Sequence, residues 1–304
     1  MLKRSILIEN KASISTKNFQ LLIKTEAKES SIPIEDIGFL VLDHPEIYLS
    51  IPAMNLIVEN NAALIICGKN HLPNGMFLNL NSHYIQQEIF RNQIEASVPL
   101  KKQLWQQTIV EKITNQGYLL QNITKQKNSF EFLASKVLSG DTTNMEGVAA
   151  SQYWKVFFET NENVSKFKRE RFGEYPNNFL NYGYAILRGA TARALSGSGL
   201  LNTLGIHHKN KYNAFALADD IMEPYRPVVD EKVFELMLKY DEQELNSVLK
   251  SELLQILTRT VYFKDEKSPL MVALQKTASS LQQCFTGQRK KIKYPKLWNL
   301  TDTE

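Results

Sequence analysis

The prolines of this chain divide it into two regions that must fold differently. Four of the ten fall before residue 74, none lies between Pro99 and Pro176, and none between Pro176 and Pro224. Proline lacks a backbone donor and clashes with the preceding helical turn, so the proline-free spans are where long helices are allowed. The first region has the opposite texture. SILIEN (5–10), ASISTK (12–17) and FQLLIKT (19–25) are short runs rich in Ile, Leu, Ser and Thr, parted by polar breaks, which predicts strands. IGFLVLD (37–43) and ALIICG (63–68) are continuous apolar runs, expected as more deeply buried strands. Between them, IPAMNLIVENN (51–61) spaces Met54, Leu56, Ile57 and Val58 for a helix, with Pro52 tolerated in its first turn. The Pro-Asn-Gly at 73–75 predicts a turn followed by another strand.

From about residue 84 the spacing becomes helical: Ile85, Ile89 and Ile94, then Leu100, Leu104, Ile109 and Ile113. The expected fold class is α+β, with a small N-terminal β-sandwich-like domain over residues 1–82 and a large, mostly α-helical domain over 83–304. With 304 residues, 43% of them hydrophobic and 22% charged, the chain can bury a core in each. No apolar run approaches the roughly 18–20 residues of a membrane span. The start, MLKRSILIEN, holds too short an apolar stretch for a secretory segment. Cys67 and Cys284 lie far apart with no metal-type spacing, so reduced thiols in a cytoplasmic protein are expected. The net charge of +4 is only a weak pointer to an anionic partner. Its distribution says more, with basic groups at Lys101–Lys102, in KFKRER (166–171) and in RKKIKYPK (289–296).

Two stretches carry candidate chemistry. In GDTTNMEGVAASQYWKVFF (140–158), Thr143-x-x-Glu146 fits a capping box, in which Glu146 merely closes a helix N-terminus. The small residues Gly147, Ala149 and Ala150 would instead let another element approach the helix where Glu146 projects. In LGIHHKNKYNAFALADDIMEPYRP (204–227), two histidines, two aspartates and a glutamate fall between His207 and Glu223. Asn213 is the expected cap of a helix through AFALADDIM. On that helix Asp220 and Glu223 are i,i+3 neighbours, and Asp219 and Glu223 are i,i+4 neighbours. Either pairing crowds two carboxylates on one face, at a cost of about a few tenths of a kcal/mol unless a cation relieves it. Pro224 is expected to disturb the helix and aim Glu223 outward. One imidazole with two or three carboxylate oxygens suits Mg²⁺ or Mn²⁺ rather than structural zinc, which would want cysteines. Such an ion would activate a water or hydroxyl and neutralise a phosphoryl group. No GxxxxGK[ST], GxGxxG or GxSxG motif is present, and SGSG (196–199) reads as a helix end.

Three segments, in this order and spacing, resemble a known family. They are Glu146 within NMEGVAASQYW, the Gly205-x-x-His208 turn, and NAFALADDIMEPYRPVVD (213–230). Together they resemble the CRISPR-associated integrase that inserts new spacers, the universal adaptation nuclease of those systems. FLNYGYAILR (179–188) and KITNQ (112–116) are similar to helices of that family, and the resemblance covers nearly the whole chain. The size and the LGIHH wording are most similar to the branch that accompanies a single large RNA-guided effector nuclease.

The resemblance implies that Glu146, His208 and Glu223 are the catalytic metal ligands, with Asp220 as a supporting acid. The doubled His207–His208 and Asp219–Asp220 leave a one-residue ambiguity. It further implies a metal-dependent (Mg²⁺ or Mn²⁺) DNA endonuclease and integrase, which attacks a phosphodiester of the CRISPR repeat array with the 3′-hydroxyl of an incoming DNA end. The implied partners are double-stranded DNA (protospacer and repeat), a second copy bound through the β-rich domain, and a small second adaptation protein in a 4:2 complex. Lys209, Lys211, Arg188, Arg193, Lys166, Lys168, Arg169 and Arg171 are the candidate phosphate contacts. Two other readings fit parts of the pattern. One is a helical metal-dependent nucleotide phosphohydrolase, although the usual adjacent His-Asp pair is missing. The other is a non-catalytic DNA-binding scaffold with a capping Glu146 and a polar 207–223 surface.

Overall fold

A computed structural model describes residues 3–79, 81–159, 167–170, 173–264 and 266–298. The N-terminal region runs β1 (Arg4–Ile8), β2 (Ala12–Lys17), β3 (Gln20–Thr25), β4 (Glu29–Pro33), β5 (Ile37–Leu42), β6 (Ile47–Leu49), α1 (Ile51–Glu59), β7 (Ala63–Cys67) and β8 (Pro73–Phe77). The rest is α2 (Gln86–Glu95), α3 (Val98–Thr124), α4 (Phe130–Ser135), α5 (Met145–Glu159), α6 (Asn177–Gly197), α7 (Ala216–Met222), α8 (Arg226–Lys239), α9 (Ser247–Leu254), β9 (Thr260–Phe263), β10 (Glu266–Pro269) and α10 (Leu270–Phe285). The fold is α+β, strand-rich first and helical after. Among the described residues no helix is long and apolar enough to cross a membrane.

The strands form two four-stranded sheets, β1-β5-β7-β8 and β4-β3-β2-β6. In the first, β1, β5 and β7 are parallel and β8 closes the edge antiparallel. All six residues of β5 are buried, which explains its unbroken apolar run. Leu40 and Leu64 face a core shared with Ile14, Leu21 and Ile57. Phe39, Val41 and Ile65 face the other way, into the core of the helical body. There α6 comes close enough that a Cβ on Gly189 would lie 2.7 Å from Ile65 and 3.0 Å from Phe39, so a larger residue would have to displace those side chains. A buried ion group also ties the two regions, with Lys250 Nζ on α9 2.6 Å from Asp43 and 3.2 Å from Glu9.

Several local expectations need correction. Pro-Asn-Gly is not a turn but the start of β8; the reversal is at 68–72, where His71 takes a positive φ of 59°. Pro73 is tolerated because it opens an edge strand, where its missing N–H costs no ladder bond. The β9–β10 hairpin interrupts the helical body, where no strand was expected. Ile94, spaced as a core residue, is 58% exposed. The basic 289–296 segment, for which no structure was expected, packs as a strap. Thr277 donates to the Lys293 carbonyl, Tyr294 shares a hydrogen bond with Thr108 of α3, and Lys296 pairs with Tyr262 through the backbone. Lys290, Lys291 and Lys293 stay exposed on its outer side.

Candidate active site

Helix α3 supplies one wall of the site. Trp105, Lys112 and Asn115 stand at i, i+7 and i+10, a spacing that puts them along one helical face. All three are buried. Trp105 meets the 205–208 turn, Lys112 meets two carboxylates, and Asn115 Nδ2 donates to the Pro224 carbonyl at 2.8 Å.

The Gly205–His208 turn is built around Asp220. Its Oδ2 accepts from the backbone N–H groups of Ile206 (2.7 Å) and His207 (3.0 Å), and its Oδ1 accepts from that of His208 (3.2 Å). Oδ1 is also 2.5 Å from His208 Nδ1. A carboxylate there holds the imidazole proton on Nδ1 and leaves the Nε2 lone pair open. A Cβ on residue 205 would lie 2.6 Å from the His208 carbonyl and 2.7 Å from Asp220 Oδ2, which is why the turn needs glycine. The two histidines are placed differently. His207 stacks flat on Trp105 with ring centroids 4.1 Å apart, whereas His208 meets that indole edge-on at 5.8 Å. The Asp220 hydrogen bond raises the His208 pKa, burial partly opposes this, and the charges of Asp220, Glu223 and Asp219 add to it.

Glu146 is not a capping residue. The N-terminus of α5 is closed by Asp141, which accepts from the N–H groups of Met145 and Glu146, and by Asn144, which accepts from that of Gly147. The Glu146 carboxylate instead reaches Lys112, with Oε1 to Nζ at 2.6 Å. Lys112 Nζ also lies 2.6 Å from Glu223 Oε2, and Arg226 Nε donates to Glu223 Oε1 at 2.8 Å. The contact to Oε2 is an ion pair without hydrogen-bond directionality, since that oxygen accepts no aligned donor. Burial alone would raise the Glu223 carboxyl, but the charges of Arg226 and Lys112 outweigh it and hold it down to about 2. Burial likewise opposes the charge on Lys112, and Glu223 and Glu146 reverse that and raise its pKa.

Glu223 is buried and inward-facing, contrary to the outward orientation expected from Pro224. The proline sits in the first turn of a 3-10 segment, Glu223–Tyr225, where no N–H is required, so the chain passes from α7 into α8 with little deviation. Asn213 is not the cap of α7 either: Phe215 holds that position, and Asn213 Nδ2 donates to Asp219. Each acid of the crowded helix has its own partner. Asp219 pairs with Arg188, Asp220 with the turn, and Glu223 with Lys112 and Arg226.

Among the described residues no three His, Cys, Asp or Glu side chains converge on one point that could hold a metal. The cation between Glu146 and Glu223 is the ammonium of Lys112. Two carboxylates gathered round one positive charge, with an imidazole nearby and no thiolate, are nevertheless a donor set suited to a hard divalent ion.

The family model described as "CRISPR associated protein Cas1" matches residues 6–252. The "CRISPR-associated endonuclease Cas1" of Neisseria meningitidis serogroup C is 34% identical over 98% of this chain and 98% of that protein. The chain belongs to the Cas1 family. A second relative, "CRISPR-associated endonuclease Cas1 1" of Francisella tularensis subsp. novicida, is 24% identical over 98% of this chain and 100% of its own length. Among solved structures, a Cas1 protein from Thermotoga maritima superposes with a TM-score of 0.73 at 16% identity, covering 95% of this chain and 99% of that one. A casposase bound to its integration product gives 0.78 at 18% identity, covering 96% and 92%. At such identities these two establish a shared Cas1-like fold.

The candidate phosphate contacts sort into distinct settings. Lys209 and Lys211 are exposed and line a groove of 920 Å³ with Lys101, Lys102 and His208. Arg188 and Arg169 line a second cleft of 550 Å³, Arg188 bound to Asp219 and Arg169 to Asn177 and Asn181. Lys168 is exposed and pairs with Glu170. Arg193 is a correction: it is buried, and its Nε donates to the Asn61 carbonyl, joining α6 to the β region rather than facing a duplex. Lys166 and Arg171 lie outside the described residues. Sequence reasoning missed Lys112 and Arg226 as members of the site. The signal for Lys112 was present in KITNQ, where a lysine interrupts the buried Ile109–Ile113 stripe.

Proposed function

We propose that this Cas1-family protein is a metal-dependent DNA endonuclease and integrase that inserts spacers into a CRISPR repeat array in the cytoplasm. Glu146, His208 and Glu223 would hold Mg²⁺ or Mn²⁺. When bound, such an ion supplies electrophilic activation of a phosphodiester and favours ionisation of an attacking 3′-hydroxyl. The residues of the chain do the rest. Asp220 orients His208 and, in the neutral imidazole, keeps the proton on Nδ1 so that Nε2 presents its lone pair. Arg226 fixes Glu223, and α5 brings Glu146 to the same cation position. The exposed lysines of the groove neutralise DNA phosphates leading to His208. The observation that carries this reading is the approach of Glu146 and Glu223 to a single cation beside a histidine held by a dedicated carboxylate. The same reading includes a homodimer through the β-rich domain and a small second adaptation protein in a 4:2 complex. Its support includes a structural neighbour solved as a Cas6-RT-Cas1–Cas2 complex.

The test is strand transfer of a short duplex into a repeat-bearing plasmid, with the partner protein, with and without EDTA. His208→Ala should lower the rate about a hundredfold or more while leaving the fold and duplex affinity in place. Glu146→Ala and Glu223→Ala should behave alike, and each should add little in a background already lacking another ligand. Normal joining by His208→Ala, or joining insensitive to EDTA, would overturn the assignment.

A further inference from the structure

Lys112 stands where a shared divalent ion would have to stand. Its Nζ is 2.6 Å from Glu146 Oε1 and 2.6 Å from Glu223 Oε2. A metal bound to those same oxygens at roughly 2.0–2.2 Å would fall almost upon the ammonium. The other oxygen of Glu223 is already engaged by Arg226 Nε at 2.8 Å, so neither oxygen lacks a cation. Two carboxylates and two cations make this group electrically balanced. A divalent ion added to it would bring two uncompensated charges beside Lys112 and Glu223, which are buried, with Glu146 and Arg226 only partly exposed. One cation must therefore leave. Arg226 is the less free of the two, because its guanidinium also lies over the Tyr184 ring, 4.6 Å from its centroid. Lysine carries its charge on a flexible four-carbon stem and can withdraw.

We propose that Lys112 is an internal placeholder cation, which balances Glu146 and Glu223 and competes with the divalent ion for them, so setting the metal affinity of the site. The proposal rests on the metal-site reading given above. Lys112 is thereby a positioning residue, distinct from the ligands. A withdrawn ammonium next to the ligands would find its new partner in a DNA phosphate, so metal uptake and DNA binding would reinforce one another.

The experiment uses the full-length protein, with Mn²⁺ titrations read by electron paramagnetic resonance of the free ion and thermal unfolding in EDTA and in Mn²⁺. Wild type is compared with Lys112→Met, Lys112→Gln, Lys112→Arg and Glu223→Gln. The neutral Lys112 variants should bind Mn²⁺ about tenfold more tightly or better, melt lower in EDTA, and gain more from Mn²⁺ than wild type does. Lys112→Arg, which keeps the positive charge, should return affinity to the wild-type range. Neutral variants that bind no tighter than wild type, in a protein whose uptake Glu223→Gln abolishes, would overturn the placeholder role alone. Wild type and Glu223→Gln taking up Mn²⁺ alike, or neither doing so, would overturn the metal site and this proposal with it. Should the neutral variants not fold in EDTA, recovery of folding by Mn²⁺ supports the proposal and failure to recover overturns it.

Discussion

At the scale of single residues, the arrangement of Glu146, His208 and Glu223 depends on the groups that hold them. Asp220 takes three backbone N–H groups and one imidazole, so it fixes both the path of the 205–208 turn and the tautomer at its end. Asp230 shows a different balance. It accepts from Tyr153 at 2.8 Å and from Tyr184, yet burial pushes its carboxyl up to about 6, and those hydrogen bonds and the nearby Arg226 and Arg169 offset only part of this. A carboxyl raised by folding holds its proton more tightly in the native state. Its contribution to stability is therefore complete below about pH 4 and is lost as the pH rises through about 6. Relative to Asp230→Asn, the wild type should lose on the order of 3 kcal/mol between pH 4 and 7. Urea denaturation across that range measures the difference, and a flat profile would refute it. The Gly-x-x-His spacing and the acids of 219–223 were legible because they are local. Lys112 was not, because its inward direction is set by α5, which begins thirty-odd residues later, and a lysine on a helix reads by default as surface.

At the scale of elements, legibility followed burial on both faces. β5 and β7 were evident as continuous apolar runs, and α3 as a long helical period whose one proline, Pro99, lies in its first turn. The strands β4 and β10 are short, polar and half-exposed, so little in their composition separates them from loops, while β6 and β9 have strand-like composition but run only three and four residues. The Glu146 cap was misread for a related reason. Thr143 has the right spacing, but Asp141 arrives first because Gly140 takes a left-handed conformation and folds the 139–141 turn back under α5. Helix α9 makes a further long-range demand, placing Lys250 between Asp43 and Glu9 of the β region with almost no exposure. Lys250→Met would leave those carboxylates without their cation and should cost about 3 kcal/mol. Adding Asp43→Asn should restore much of that loss. Chemical denaturation of the single and double variants is the check, and strict additivity would show that the pair does not couple the two regions.

At the scale of the whole molecule, a net charge of +4 conceals an uneven surface. Lys101, Lys102, Lys209 and Lys211 gather on one groove that ends at His208, while the acids of the site are internally neutralised. A groove of that kind attracts a polyanion without specifying its sequence. Lys209→Ala combined with Lys211→Ala should weaken duplex binding at low salt and make its salt dependence shallower by about 2 in log–log slope, with an unchanged melting temperature. Binding isotherms across a salt series decide this, and an unaltered slope would remove both lysines from the interface. The indole of Trp105 lies face to face with His207 and edge-on to His208, at the head of the helix that also carries Lys112. Its emission is consequently tied to the posture of those two rings, and with Trp154 and Trp298 replaced the molecule would carry an optical gauge of this corner, readable without any attached dye.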